Sequence, residues 1–149
     1  LKKLEYLELS GSHKDIDLKN ISKLSNLKYL DLRSTKINNI SSSISQLKNL
    51  EFLDLSSNDG NIGSEDIDNI SKITSLKNLD LSGNNLGKLP SSIGNLKNLE
   101  RLNLVLCDLK SIPDSIGNLK KLKSLSLNYN EITEIPESVK KLNIPELSL

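Results

Sequence analysis

The feature that most constrains this chain is a spacing. The pattern Leu-x-x-Leu-x-Leu opens at Leu4, Leu27, Leu50, Leu76, Leu99 and Leu122, and once more with isoleucine in first place at Ile144. The steps between openings are 23, 23, 26, 23, 23 and 22 residues. Self-similarity at such a period belongs to stacked units, each too small to bury its own apolar face. Composition agrees: 31 Leu and 15 Ile make up most of the apolar residues, and Ala, Met and Trp are absent. A core made of two side chains of nearly equal volume suits repeated layers better than an irregular interior.

Each position in the unit has a physical reading. Leu7/Leu9, Leu30/Leu32, Leu53/Leu55, Leu79/Leu81, Leu102/Leu104 and Leu125/Leu127 alternate as strand residues do, which sends two leucines per unit to one face. One short strand per repeat, stacked in parallel, predicts a sheet on the concave side of a curved solenoid. Ser12, Thr35, Asn58, Asn84, Cys107 and Asn130 follow at a turn, where polar side chains can satisfy buried backbone groups and link one repeat to the next. Pro90, Pro113 and Pro136 precede Ser-Ser-Ile, Asp-Ser-Ile and Glu-Ser-Val, and proline at a first helical position predicts short helical turns there. Two units depart from the template. The third is three residues longer, with turn chemistry across Asn58–Ser64, and Lys14 and Asp17 replace apolar residues in the first, which predicts an irregular loop over residues 10–19.

The Leu-Pro-x-x-Ile-Gly-x-Leu wording, as in Leu89-Pro90-Ser-Ser-Ile93-Gly94-Asn-Leu96, resembles the intracellular leucine-rich-repeat proteins of the Ras-related group. Plant disease-resistance receptors and many microbial repeat proteins carry similar units. The resemblance implies an α/β fold: a right-handed solenoid, or horseshoe, with a parallel concave sheet and short helices, 3-10 turns or loops on the convex side. It covers residues 1–149 as one domain of about six full repeats and a partial seventh. It also implies a non-enzymatic protein-recognition scaffold. The cysteine-rich caps of animal extracellular members are missing, which leans the expectation toward a cytoplasmic setting and leaves a secreted or cell-surface one open.

Residues that alternate with the core leucines form columns across the concave sheet, because equivalent positions on adjacent strands lie about 4.8 Å apart. One column reads Glu5, Lys28, Glu51, Lys77, Glu100, Lys123, an alternation of sign that predicts solvated structural pairs. The next reads Tyr6, Tyr29, Phe52, Asn78, Arg101, Ser124. Three of the chain's four aromatics thus share one column, and Tyr129 falls near the concave edge of a later repeat. Aromatics displayed on a surface are typical binding anchors, although mutual stacking to cover the sheet is the plainer alternative. Beside them run Glu8, Asp31, Asp54 and Asp80, whose mutual repulsion calls for Arg33, nearby lysines or a basic ligand. A cation held between these carboxylates is a weaker reading, since rigid strands offer no convergent cage. Val105 and Leu106 replace the polar pair found in other repeats, and with Arg101 and Tyr129 they make a second patch with an apolar rim.

Other classes of function fit poorly. A net charge of +1 argues against nucleic acid as a partner. No apolar run approaches the roughly 20 residues of a membrane span. Cys107 occupies the turn-ladder position and reads as a structural thiol, while His13 lies in the irregular loop with no catalytic company. No phosphate loop, zinc spacing or nucleophile elbow occurs, so neither catalysis, cofactor nor metal is expected. Three Asn-Ile-Ser sequons, at Asn20, Asn39 and Asn69, are what so much Asn, Ser and Thr yields by chance. Leu1 already sits inside the pattern, so the chain is expected to be a fragment or a processed form. Both ends would then expose leucine layers. The expected role is recognition of a protein or peptide with a basic segment. The alternatives are self-association through uncapped ends, spacing of flanking domains, and binding of a carbohydrate or cell-surface ligand.

Overall fold

The structure is a computed structural model, which describes residues 3–12, 14–60 and 62–149. His13 therefore lies outside the described residues. Seven three-residue strands form one parallel sheet in sequence order: β1 (Tyr6–Glu8), β2 (Tyr29–Asp31), β3 (Phe52–Asp54), β4 (Asn78–Asp80), β5 (Arg101–Asn103), β6 (Ser124–Ser126) and β7 (Glu146–Ser148). Every step pairs equivalent residues. Tyr6, Tyr29, Phe52, Asn78, Arg101, Ser124 and Glu146 are consecutive partners, as are Glu8, Asp31, Asp54, Asp80, Asn103, Ser126 and Ser148. This is the architecture expected of an α/β solenoid with one strand per repeat.

The central residue of each strand points away from those columns and into the core. Leu30, Leu53, Leu79, Leu102 and Leu125 are buried, and Leu32, Leu55, Leu81, Leu104 and Leu127 join them one pleat further on. From the other side come residues such as Ile44, Ile67, Ile93, Ile116 and Val139. Among the described residues, every buried apolar side chain is Leu or Ile apart from Cys107 and Val139. Burial of this kind stabilises by about 1.5–3 kcal/mol per side chain. β1 and β7 are the sheet edges, where Leu4, Leu7 and Leu9 are partly buried while Leu147 and Leu149 are exposed.

The segments opposite the sheet differ from repeat to repeat. Three are 3-10 turns, at Ser42–Gln46, Ser91–Asn95 and Asp114–Asn118, and three are α-helices: α1 (Leu18–Ile21), α2 (Ser64–Ile70) and α3 (Glu137–Lys140). Three expectations change here. Pro90, Pro113 and Pro136 stand one residue earlier than expected, as the cap preceding the helical turn, with extended ψ of 155°, 148° and 143°. The irregular loop ends at Asp17 instead of residue 19. Asp17 is the N-cap of α1, its carboxylate accepting from the backbone of Lys19 and Asn20, so a residue that looked like an intrusion starts the helix. The longer third repeat uses its extra residues to build α2. Asp66 accepts from the backbone N–H of Gly63 (2.8 Å) and of Ile40, and the Asn69 amide donates to Ile40 O (2.9 Å), so the helix is tied to the preceding repeat.

The turn ladder forms, with one substitution in chemistry. Asn58, Asn84 and Asn130 each donate through their amide to two carbonyls, one in their own repeat and one in the repeat before. Their side-chain oxygens accept backbone N–H groups of the preceding repeat, including Thr35 and Ile37 at Asn58 and Cys107 and Leu109 at Asn130. Cys107 supplies only weak thiol contacts, 3.3 Å to Leu81 O and 3.6 Å to Val105 O. A second ladder, unread in the sequence, runs along the opposite edge. Asn49, Ser75 and Asn98 donate to Ser25 O, Leu50 O and Thr74 O of the repeats before them.

The open sheet face as candidate functional site

The face of the sheet turned from the core carries the three columns, and strand register decides who meets whom. In the first column the charges pair two by two instead of forming one continuous chain. Lys28, Lys77 and Lys123 each reach the glutamate of the preceding repeat, at 3.0 Å to Glu5, 2.9 Å to Glu51 and 2.8 Å to Glu100. All three are solvated pairs that add little to stability, which supports stacking register and leaves little for recognition.

The aromatic column is a continuous stack. The Tyr6 and Tyr29 rings have centroids 4.1 Å apart at 10°, and Tyr29 and Phe52 lie 4.2 Å apart at 5°. Parallel register explains this, since it places equivalent Cβ atoms one strand apart and leaves flat rings no better neighbour. Such pairs add about 0.5–1.5 kcal/mol each beyond area burial. Tyr29 is sandwiched and offers only its edge. Burial, helped by the neighbouring Tyr6 hydroxyl, pushes its phenol up to about 12. Tyr6 is 54% exposed at one end of the stack, and Phe52 at the other end walls a depression of about 260 Å³. Asn78, Asp80, Arg101 and Asn103 line it too, with Ser124 and Ser126 at its far side.

The acidic column is less free than its sequence suggests. Glu8 accepts from the Tyr6 and Ser10 hydroxyls. Asp31 is fully buried, with Arg33 laid over it: Nη2 is 2.7 Å from Oδ2. The contact is electrostatic, since the donors are not aligned for a hydrogen bond to that oxygen. Asp80 is bonded through Oδ1 to the Ser82 hydroxyl and backbone and through Oδ2 to the Asn103 amide, at 2.8 Å. Asp54 is bonded only through Oδ1, to the backbone and hydroxyl of Ser56. Its Oδ2 has no hydrogen-bond partner among the described residues, and burial, opposed in part by Ser56, raises its carboxyl above the ordinary value of 3.8. Arg33 thus offsets the charge of Asp31 from within the column and, at longer range, part of that of Asp54. Among the described residues, no cluster of His, Cys, Asp and Glu could hold a metal ion.

Register places Arg101 beside Asn78, with a long 3.4 Å contact, and it has no carboxylate in ion-pair range among the described residues. Leu106 and Tyr129 are the exposed large hydrophobic side chains between β1 and β7 among the described residues, at 58% and 79%. They occupy equivalent turn positions just past β5 and β6, with φ of 56° and 58°. The aromatic stack and the acidic column are thus brought together on β1 to β4, while Leu106 and Tyr129 stand apart at the edge. Sequence reading passed over Asp108 and Glu131, which follow Leu106 and Tyr129 two residues later and are both exposed. The signal available was their shared place in the repeat.

Comparisons with known proteins fit this architecture. Residues 58–148 match the family model described as a leucine-rich repeat region, and residues 2–59 match the model described as leucine rich repeat. A leucine-rich-repeat protein of Leptospira interrogans is similar in structure, with a TM-score of 0.89 and 36% identity over 99% of this chain. Internalin C2 of Listeria monocytogenes gives 0.80 and 27% over 95%. The leucine-rich-repeat ectodomain of the Arabidopsis thaliana membrane receptor kinase GASSHO1/SCHENGEN3, solved in complex with CASPARIAN STRIP INTEGRITY FACTOR 2, gives 0.67 and 28% over 99%. This chain spans 37%, 59% and 21% of those three chains respectively. No curated protein sequence matches it.

Proposed function

The chain belongs to the leucine-rich-repeat family, whose members are generally non-enzymatic protein-interaction modules, and on that premise we propose that its open, concave sheet face binds a protein or peptide segment carrying a basic residue. The observation that carries the reading is the ring stack. Tyr6, Tyr29 and Phe52 fill no core position, yet they form a continuous apolar ridge on the solvent face. Phe52 and Tyr6 serve as the anchors, since Tyr29 has neither ring face open. Asp54 supplies the acceptor for the basic group through its uncommitted oxygen, and Glu8, Asp31 and Asp80 set the local negative field that Arg33 moderates. Arg101 borders the same depression and orients the segment. A complex of one family member, the Arabidopsis ectodomain, supports partner binding as a use of this fold.

The test uses three labelled nonapeptides with leucine at alternate positions and arginine, glutamine or glutamate between them. Fluorescence anisotropy should show the arginine peptide binding best. Phe52→Ala should weaken it about tenfold, the loss of one well-packed aromatic anchor. Asp54→Asn should narrow the margin of the arginine peptide over the glutamine one. Unchanged affinity in both variants would sink the assignment of this face.

A further inference from the structure

One backbone position has the same unusual conformation in six successive repeats. Gly11, Ser34, Ser57, Gly83, Leu106 and Tyr129 have φ of 67°, 54°, 55°, 68°, 56° and 58°. Stacking imposes it. The N–H of each of the first five donates to the carbonyl of the residue before the equivalent position in the next repeat, as in Gly83 N to Val105 O (2.9 Å) and Leu106 N to Asn128 O (3.1 Å). Four repeats meet this demand with glycine or serine. Leu106 and Tyr129 meet it with large side chains, which the left-handed region disfavours.

Neither residue recovers that cost by burial, since both side chains stand mostly in solvent. A strained, exposed, apolar pair on neighbouring repeats is therefore unexplained by the fold, and strain of this kind persists where function requires it. The surroundings state the chemistry of what would cover it. Cys107 is buried and Asn130 half-buried, whereas Asp108, itself at φ 54°, and Glu131 are exposed, each two residues past an apolar member of the pair. Glu131 N donates to Leu109 O (2.8 Å), which holds the two turns side by side. Neither carboxylate has an ion pair or side-chain hydrogen bond among the described residues. Two apolar groups beside two unpaired carboxylates complement a side chain that is apolar along its stem and cationic at its tip.

We infer that Leu106, Tyr129, Asp108 and Glu131 seat an arginine or lysine side chain of a partner protein. Its methylene stem lies on Leu106, its charge meets the Tyr129 ring face and the two carboxylates, and desolvation by the pair strengthens both contacts. The inference rests on the open-face reading and extends it: a second anchor at the edge, past β5 and β6, so that a bound segment would carry basic residues at two places.

The same three nonapeptides test it, with Leu106→Gly, Tyr129→Gly and the double variant Asp108→Asn/Glu131→Gln. Each glycine variant should bind the arginine peptide about tenfold more weakly. Each should also melt about 2–4 °C higher, because glycine relieves the left-handed backbone. A gain in stability coupled to a loss of binding is what a merely structural role for these side chains could not produce. The double variant should narrow the margin of the arginine peptide over the glutamate peptide severalfold, the remaining preference resting on Asp54. Three results overturn the inference: no preference of the wild type for arginine over glutamate, glycine variants that bind as the wild type does, or a dimer at high concentration that Tyr129→Gly dissolves. Loss of binding in Phe52→Ala alone would leave the ring-stack site standing and this anchor refuted, and the converse pattern would do the reverse.

Discussion

Arg33 covers Asp31: its guanidinium lies 2.7 Å from a carboxylate with no solvent exposure, while Arg33 itself is half exposed. The two sit two residues apart, at the end of β2 and in the turn beyond it, and Asp31 Oδ1 also accepts from the Arg33 backbone N–H at 3.0 Å. The buried acid raises the Arg33 guanidinium further, and the nearby Asp54 adds to this. Arg33 therefore compensates the one fully buried carboxylate of the acidic column. Arg33→Ala should destabilise the fold, because it leaves the buried Asp31 carboxylate without its counter-charge, though by less than breaking a fully buried pair, because water reaches the arginine. Urea unfolding checks this, and an unchanged midpoint would make the pair ornamental.

Asp54 makes stability depend on pH with a definite sign. Its carboxyl is held above 3.8 in the folded state, first by burial, against the pull of its Ser56 hydrogen bonds. The folded protein therefore binds this proton more tightly than the unfolded chain does, and ionising Asp54 destabilises the fold. The cost is absent below about pH 3.8 and present in full once pH passes the raised folded value. Asp54→Asn should thus melt above wild type at pH 7, with the difference closing as the pH falls below 3.8. A gap independent of pH would contradict the shift.

The ladder has a weak rung. At Cys107 a thiol stands where three other repeats place asparagine, and burial pushes it up to about 12. Cys107→Asn should restore an amide donor and a strong acceptor and stabilise by about 0.5–1.5 kcal/mol. Asn84→Ala should cost about 2–4 kcal/mol, because Leu55 O, Leu81 O and Asn58 N lose their partner together. In the native protein the Cys107 thiol should resist alkylation at pH 8 and react only on unfolding.

Gly94 and Gly117 mark where neighbouring repeats come closest. A Cβ at Gly94 would meet Ser115 O at 2.6 Å, and one at Gly117 would meet Ser138 Cβ at 2.5 Å. Alanine at either site must push two helical turns apart and should cost about 1–3 kcal/mol by thermal melting. Ser45 holds the equivalent place in the second repeat, in the turn that packs on the longer α2, with its hydroxyl donating to Ser42 O of its own turn, and Ser45→Ala should be near neutral.

The sequence by itself determined the strands, their parallel order and the core. Leucine alternation and a spacing near 23 residues set how the repeated leucines and isoleucines can share one core, so register followed and the columns came out in order. The aromatic column was legible for that reason, although its stacking geometry was not. Asp17 shows the opposite case: a polar residue at an apolar position looked like a defect because its partners, the backbone N–H groups of Lys19 and Asn20, exist only once α1 has formed. The charged column likewise alternates in sequence, yet each lysine can reach only one glutamate well, and it takes the preceding one. What only the tertiary structure decided was which polar atoms are already spoken for and which backbone angles the stacking imposes. Both depend on distances between repeats, and these separate Asp54 from Asp31 and Asp80, and Leu106 and Tyr129 from the glycines and serines they replace.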